Sequence, residues 1–545
     1  MKGKSKQSLL LGVILLIMAT VSLLYWGQQK QVWFCDEIYT YESANGFEQD
    51  WPANDKARWM SGSDVEAFFS ADWEKLSFDM ISARLYCDHV PLFFWLFRIM
   101  SFFFFKGSGS IWIGLIMNLV FYLFFVGVVY WLFCKMTKSP FIAAVFVFLT
   151  CIVNCLMIEQ ITMLRMYMML LLAQGLLLLG GFWVLKNVHT PKIKAGTYLF
   201  LFLVSWFGLL THYHYWVFYA VTAALFCMWL LVLAWRKDKK AFWKSREFHL
   251  VLAWVGNFVA ALLATFWVFP YAKWNLNRGK GEVALHSIFD FSAKKLELIR
   301  WSYQRLSASI LGSNIPVVIG LLVIFGCIAG GAFVLYKRKE TQKLTGLVLT
   351  VLIAQAYQFI VSFTMPAIEE ERYLWGSFTL MLFCAVWGAI LLLQTLFNRV
   401  KGNKAKRSGV LVITMAAAVL FFLVECSVID GGNGVAYLFH PQKDVTLLEE
   451  NADKPWVVYG PTVGVYSYYD WLMPQRICFL SEEQTPEDAE AVKELKEQES
   501  FVLYTYEGYY EEVIEFFERE LEKEILCEKL TKSTNLTVYL VRENK

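Results

Sequence analysis

Long apolar runs separated by short polar segments dominate the first 430 residues of the chain. Most runs approach about 20 residues, the length that an α-helix needs to cross the hydrocarbon core of a bilayer. The pattern predicts about eleven membrane-spanning helices, at residues 8–26, 111–134, 140–158, 167–185, 197–212, 215–235, 248–270, 313–336, 346–363, 372–396 and 408–428. The expected fold is therefore that of an all-α polytopic membrane protein.

Basic residues occur in alternate connecting segments and so predict the orientation of the chain. The segments 2–6, 135–138, 186–194, 236–246, 337–343 and 399–407 hold 23 lysines and arginines and few acids. Because segments rich in Lys and Arg stay in the cytoplasm, this bias predicts that the N-terminus lies inside and the C-terminus outside. The lysines before the first apolar run, without a small-residue cleavage site, indicate an uncleaved anchor.

The apolar stretch Val90 to Phe105 is the ambiguous segment. It has only 16 residues, and Arg98 lies in its middle, whereas a spanning helix needs about 20 residues. If it crossed the membrane, the later basic segments would face outward. We interpret it as an interfacial or re-entrant helix inside one external loop, residues 27–110.

The composition changes after residue 428. Charged residues become frequent, and short β-type runs occur at 456–459, 501–504 and 536–541 beside an acidic helical stretch at 510–523. The sequence thus predicts two domains, a membrane module at 1–428 and a small soluble external α/β domain at 429–545.

Composition and charge exclude several classes of protein. Hydrophobic residues make up 57% of the chain, and the formal net charge is only +3 over 545 residues, which does not indicate a nucleic-acid partner. The eleven cysteines form no CxxC motif, and no nucleotide-binding glycine loop is present. Cys35 and Cys87 both lie in the predicted external loop, and a disulfide between them remains a hypothesis.

Ionisable residues gather at the predicted external ends of the helices, while the mid-membrane positions hold few charges. We expect them to line one outward-facing cavity, whereas an ion-coupled transporter would have its charges near the midplane. They are Asp36, Glu37, His89, Glu159, Arg165, His212, His214, Glu369, Glu370, Glu371 and Arg372.

The order of these motifs resembles that of the GT-C membrane glycosyltransferases, and within that class the protein O-mannosyltransferase and aminoarabinose-transferase group. The similarity covers the first 430 residues or so, and the external domain is similar only in position. One motif departs from the usual His-Pro-Pro-Leu, because the chain has His89-Val90-Pro91-Leu92. The motifs are Asp36-Glu37, His89-x-Pro91-Leu92, Glu159-Gln160, Arg165-Met166-Tyr167, Thr211-His212-Tyr213 and Arg372-Tyr373-Leu374.

The resemblance implies transfer of a sugar from a polyprenyl-phosphate donor to an acceptor at the external face, with inversion at the anomeric carbon. A carboxylate beside the attacking hydroxyl acts as general base, and we assign this role to Asp36. Glu37 would position the acceptor or hold Asp36 in line. Cations stabilise the leaving phosphate, and Arg165 is the main candidate, with His89 and Arg372 secondary. Tyr167, Glu159, Tyr373 and His212 are expected to support the site.

Other interpretations stay open at this point. Asp36 and Glu37 fit a solvated acidic pair, Arg165 fits a side chain that reaches the membrane interface, and Arg372 fits an ion pair with the preceding glutamates. His212-x-His214 is a weak metal signal, so we expect neither a metal nor another cofactor. A flippase or transporter of lipid-linked sugars and a non-catalytic assembly or sensor protein remain alternative functions.

Partners and location follow from the leading interpretation. The expected partners are a polyprenyl-phosphate sugar, the lipid bilayer and an acceptor that is a glycan, a lipid or a protein. The Phe-rich segment 93–105 is expected to form part of a groove for the carrier lipid. The predicted location is the plasma membrane, with the site and the C-terminal domain extracytoplasmic.

Overall fold

The computed structural model of the chain describes most of its 545 residues. The described residues are 2–31, 33–46, 51–71, 77–85, 89–187, 195–237, 239–240, 242–275, 280–287, 290, 292–364, 370–399, 421–426, 428–429, 438, 442–460, 465–466, 476–533 and 536–544.

Helices dominate the first 400 residues. They are α1 Lys2–Gln28, α2 Cys35–Asn45, α3 Gly62–Phe69, α4 Phe78–Arg84, α5 Leu92–Phe105, α6 Trp112–Thr137, α7 Pro140–Val147, α8 Cys155–Thr162, α9 Tyr167–Asn187, α10 Ala195–Leu209, α11 Tyr213–Lys237, α12 Arg246–Val268, α13 Ala272–Asn275, α14 Lys280–Ser287, α15 Ala293–Leu311, α16 Val317–Lys337, α17 Thr341–Thr364 and α18 Trp375–Arg399.

Eight helices among the described residues are long and apolar enough to cross a membrane, so the chain is a multi-pass membrane protein. Three of the predicted spans are not among these eight helices. The span at 140–158 is a pair of helices bent by 60° at a break, α10 has only 15 residues, and the span at 408–428 lies mostly outside the described residues. The number eleven and the orientation therefore stay predictions.

The segment between α1 and α6 contains no helix of spanning length among its described residues. Its longest helix, α5, has 14 residues, too few for the hydrocarbon core. It ends at Lys106, which adopts the left-handed conformation (φ 53°), followed by Gly107 (φ 82°). This agrees with the expectation that the stretch does not cross the membrane.

A six-stranded mixed sheet forms the C-terminal part. The strands are β1 Trp59–Ser61, β2 Trp456–Tyr459, β3 Arg476–Leu480, β4 Ser500–Tyr506, β5 Ile525–Ser533 and β6 Leu536–Glu543, in the order β1-β3-β2-β4-β6-β5. Strand β2 runs parallel to β3 and β4, and the other pairs are antiparallel. The accompanying helices are α19 Gln442–Glu449, α20 Pro486–Lys493 and α21 Tyr510–Leu521.

The predicted small α/β domain is therefore present, but one of its strands comes from the first loop. Trp59 pairs with Cys478 and Met60 with Ile477. Tyr466 extends the contact, because its ring lies 5.5 Å from the rings of both Trp51 and Phe69. The sheet is thus attached to the segment that follows α1. A division of the chain at 428/429 stays a prediction.

A break between α8 and α9 positions the first part of the candidate site. The helix ends at Thr162, and Met163 adopts an extended conformation (ψ 121°). The buried amide of Asn118 on α6 donates to the carbonyl oxygens of Ile161 and Met163. Since a buried carbonyl without a partner destabilises the fold, Asn118 makes this break possible.

Candidate functional site

Asp36 lies in the first turn of α2. The only accessible stripe of this helix runs through Cys35, Asp36, Tyr39 and Ser43, while the other side chains are buried. The Asp36 side chain is 22% exposed, so it is partly accessible from outside the protein.

Glu37 has the opposite environment. It is fully buried, and its carboxylate lies 3.0 Å from Lys30 Nζ. It also accepts hydrogen bonds from the backbone N–H groups of Leu164 (2.6 Å) and Phe34 (2.8 Å). Burial raises the pKa of Glu37, whereas Lys30 and the two N–H groups lower it. Glu37 therefore links the end of α1, the start of α2 and the α8–α9 break.

Arg165 projects from that break and is 2% exposed. Its Nη1 donates to Thr40 Oγ1 (2.9 Å), and its Nη2 lies 3.0 Å from His89 Nε2 and 3.8 Å from Asp36 Oδ2. Among the described residues its Nε has no hydrogen-bond partner. The guanidinium is thus held by Thr40 on one side and faces Asp36 and His89 on the other.

Arg372 comes from the 3₁₀ turn Glu371–Tyr373 that precedes α18, and it is 4% exposed. Its Nη2 lies 2.9 Å from Asp36 Oδ2, and its Nε donates to Tyr167 Oη (3.1 Å). Nη1 donates to Glu370, and the guanidinium stacks on the ring of Phe34 at 4.7 Å. The predicted pairing with a preceding glutamate is present, but it leaves the contact with Asp36 intact.

The three histidines of the site are joined by ring contacts, and His89 also contacts Arg165. His89 stacks on Phe94 (5.6 Å between ring centroids) and lies 6.3 Å from His212. His212 lies 4.9 Å from His214 in a parallel stack, and its Nδ1 accepts the backbone N–H of His214. The stack continues to Tyr373, whose ring lies 4.6 Å from that of His214.

The structure brings most of the predicted site residues together. Asp36 contacts Arg165 and Arg372, and these lead to His89 and Tyr167. His212 and Tyr373 join this group through their rings, which lie 5.7 Å and 6.4 Å from the ring of Tyr167. Glu159 is buried (1% exposed) on α8, one turn before the break. Cys87 and Glu369 lie outside the described residues, so the possible disulfide stays a hypothesis.

Sequence reasoning missed three residues that hold the site. Lys30 pairs with Glu37, and Thr40 accepts from Arg165. Arg305 on α15 pairs with Glu371, next to Arg372. The helical spacing of Thr40, four residues after Asp36, was a usable signal. No sequence signal indicated the contact of Arg305 with Glu371, because 66 residues separate the two.

The arrangement can perform acid–base and anion-binding chemistry. Two nearly buried arginines converge on one partly exposed carboxylate, and an arginine binds a phosphate through parallel hydrogen bonds. Within the described part of the chain, no group of three or more His, Cys, Asp or Glu side chains is arranged to hold a metal ion.

The sequence matches no family model, and no curated protein matches it. Solved structures of similar architecture exist. ArnT from Cupriavidus metallidurans bound to undecaprenyl phosphate is 11% identical, with a TM-score of 0.47 over 98% of each chain. The same protein in the apo state is 12% identical, with a TM-score of 0.49 over 97% of each chain.

A second similar structure is the archaeal oligosaccharyltransferase AglB from Archaeoglobus fulgidus, in complex with an inhibitory peptide and a dolichol-phosphate. It is 11% identical, with a TM-score of 0.46 over 93% of this chain and 70% of its own. ArnT, an aminoarabinose transferase, belongs to a group that the motif order had indicated. At these TM-scores the likeness carries no argument about residues or activity, so the site rests on its own geometry.

Proposed function

We propose that this protein is an inverting glycosyltransferase that moves a sugar from a polyprenyl-phosphate donor to an acceptor on the external face of the membrane. The observation that carries the proposal is the contact of one partly exposed carboxylate, Asp36, with two nearly buried arginines, Arg165 and Arg372. Isolated surface charges have no reason to converge from three separate segments of the chain.

The proposed reaction needs one base and one anion site. Asp36 accepts the proton of the acceptor hydroxyl as its oxygen attacks the anomeric carbon. The bond from that carbon to the phosphate oxygen breaks on the opposite face, so the configuration inverts and polyprenyl phosphate leaves. The phosphate gains one negative charge in this step, which fixed cations stabilise more in the transition state than in the ground state.

Arg165 is best placed to bind the phosphate. Its Nη1 is occupied by Thr40, but its Nη2 faces the site at 3.8 Å from Asp36, and its Nε–H has no acceptor among the described residues. A phosphate oxygen would supply that acceptor. His89 Nε2, 3.0 Å from Nη2, accepts from this guanidinium, so the neutral imidazole carries its N–H donor on the other ring nitrogen.

Arg372 is assigned a double role. It orients Asp36 through the 2.9 Å contact, and Tyr167 and Phe34 fix its guanidinium. Glu37 is assigned a positioning role, because it is fully buried and its known partners are Lys30 and two backbone N–H groups. Of the two roles considered for Glu37, holding Asp36 in line fits this environment better than contact with the acceptor.

The external location is supported by the distribution of basic residues, which assigns the connecting segments that carry the site to the outer side. The non-catalytic alternative predicts dispersed side chains, whereas these side chains are in contact. A transporter would differ from this enzyme because it would move the lipid-linked sugar across the bilayer and form no glycosidic bond.

The test is a transfer assay with the purified chain in liposomes, supplied with a panel of polyprenyl-phosphate sugars and a cell-envelope extract. We expect release of polyprenyl phosphate together with a new glycosidic bond of inverted configuration, determined by NMR. Movement of the intact donor across the bilayer without a new bond would instead support the transporter.

A further inference from the structure

Two grooves along the membrane-spanning helix α6 adjoin at one glycine. The first groove has a volume of about 650 Å³ and the second a volume of about 570 Å³. Both are lined by Leu16 of α1 and by Gly127 of α6. A Cβ atom at Gly127 would meet no other atom within 4 Å, so the protein leaves the junction of the two grooves open.

The walls of both grooves are apolar side chains that the helix bundle leaves uncovered. Phe124 in the first groove is 64% exposed, and Leu9 in the second is 71% exposed. Because α1 and α6 are long and apolar enough to cross a membrane, these side chains face hydrocarbon. From Val120 to Trp131 the first groove follows α6 for about 16 Å. This length is about half of a hydrocarbon core of about 30 Å, which matches an acyl chain of one leaflet.

Lys135, in the last turn of α6, connects the two grooves at one end. It lines the second groove, and its Nζ lies 5.6 Å from the ring centroid of Trp131, which lines the first. The Trp131 ring makes an edge contact with Trp183 of α9 at 6.2 Å. Tryptophans beside a lysine at a helix end are typical of the membrane–water interface. A lipid headgroup at Lys135 therefore has access to both grooves.

The charge of Lys135 is not neutralised by the protein. Within the described residues, Lys135 contacts the Trp131 ring and forms no ion pair. Other lysines at helix ends differ, because Lys237 pairs with Glu247 and Lys343 pairs with Glu340. Lys135 is thus free to bind an anion from outside the protein.

The three helices that form the grooves carry only positive charge. α1, α6 and α9 contain no aspartate or glutamate, whereas Lys6, Lys135 and Lys186 lie near their ends. The ends of α1 and α6 are joined, because Tyr130 Oη donates to the carbonyl oxygen of Ser8 (2.9 Å). The predicted orientation assigns these ends to the cytoplasmic side, where the bilayer surface is negative.

We infer that the two grooves bind one anionic diacyl phospholipid of the bilayer, with one acyl chain in each groove and the phosphate at Lys135. Two adjoining grooves beside one cation match two chains that join at one headgroup, and a lysine binds a phosphate as a point charge. Arg165 lies just before α9 begins, whereas this site lies toward the end of that helix. The lipid site is therefore separate from the proposed sugar transfer and does not depend on it.

The test is native mass spectrometry of the full chain in detergent, titrated with phosphatidylglycerol or with phosphatidylcholine of the same acyl chains. We expect phosphatidylglycerol to bind more tightly, and Lys135→Gln to bind it about fivefold more weakly without a change for phosphatidylcholine. Lys337→Gln is the matched control and should bind as the wild type does. Lys337 also lies in the last turn of a spanning helix, over the ring of Phe333 at 5.3 Å, but it lines neither groove.

Gly127→Leu tests the grooves themselves. The leucine side chain would fill their junction and displace part of the acyl chains. Binding of both lipids should fall about tenfold, as when burial of about two CH₂ groups is lost. Gly256→Leu is the control, because a Cβ at this position of the spanning helix α12 also meets no atom within 4 Å.

Several results would overturn the inference. These are equal affinity of the wild type for the two lipids, equal losses in Lys135→Gln and Lys337→Gln, and unchanged binding by Gly127→Leu. Preferential displacement of phosphatidylglycerol by undecaprenyl phosphate would assign the grooves to the carrier instead. A dimer that Gly127→Leu dissociates would assign them to a second copy of the chain.

Discussion

Asp36 and Glu37 are adjacent in sequence, yet their environments give them different roles. Asp36 is partly exposed and contacts two arginines, whereas Glu37 is fully buried against Lys30. A buried ion pair contributes little compared with apolar residues, but removing one partner leaves an uncompensated charge. The Lys30–Glu37 pair should therefore show strong energetic coupling.

Glu37→Leu is expected to lower the free energy of unfolding by about 3–5 kcal/mol, because the buried Lys30 ammonium loses the carboxylate with which it forms an ion pair. The double variant Lys30→Met/Glu37→Leu should lose clearly less free energy of unfolding than the two single variants lose in sum. The measurement is a double-mutant cycle from denaturant unfolding in detergent. Additive losses would show that the two side chains are not coupled.

Arg165→Lys keeps the charge but removes the fork of guanidinium donors. We expect kcat/KM for the polyprenyl-phosphate donor to fall about 10²–10³-fold, as when one fixed donor to a developing anion is lost. Arg338→Lys is the matched control, since Arg338 also donates to a threonine hydroxyl at 2.9 Å, that of Thr395. Equal kinetics for the two variants would contradict the assigned role of Arg165.

At the scale of elements, the break between α8 and α9 determines where Arg165 points. The apolar runs predicted helices on both sides of this region, because hydropathy is a local property. The break could not be predicted, since it depends on Asn118 from another helix and on Glu37 from α2.

Asn118→Leu is expected to leave the carbonyl oxygens of Ile161 and Met163 without their donor, at a cost of about 1–3 kcal/mol in the free energy of unfolding. Transfer should fall by more than this loss of folded protein explains, because Arg165 moves with the break. Asn257→Leu is the control, as Asn257 donates within its own helix, to the Ala253 carbonyl. Thermal unfolding and kcat measured on both variants test the difference, and the account fails if Asn118→Leu transfers normally.

At the scale of the whole molecule, strand β1 joins the loop that carries Asp36 to the C-terminal sheet. The three main C-terminal β-type runs and the acidic helix were predicted, since their periodicity is local. Strand β1 has only three residues and pairs with a strand more than 400 residues later. No local sequence pattern predicts a pairing between strands so far apart.

Met60→Asp is expected to detach β1, because Met60 is 4% exposed between its neighbours and an unpaired carboxylate there is costly. Limited proteolysis should then cut residues 51–71 faster than in the wild type. Ser63→Asp places the same charge in the exposed first turn of α3, where an acid is favourable, and should leave cleavage unchanged. Equal cleavage of the two variants would show that β1 does not hold the loop.

The central claim is that Asp36 is the base of sugar transfer, and the direct measurement is the transfer rate of purified Asp36→Asn with a polyprenyl-phosphate sugar. We predict a fall of about 10²–10⁴-fold, in a variant that still folds and still binds undecaprenyl phosphate. Asp55→Asn, which alters an exposed carboxylate paired with Arg58 at 2.7 Å, should transfer normally. Wild-type transfer by folded Asp36→Asn would contradict the account.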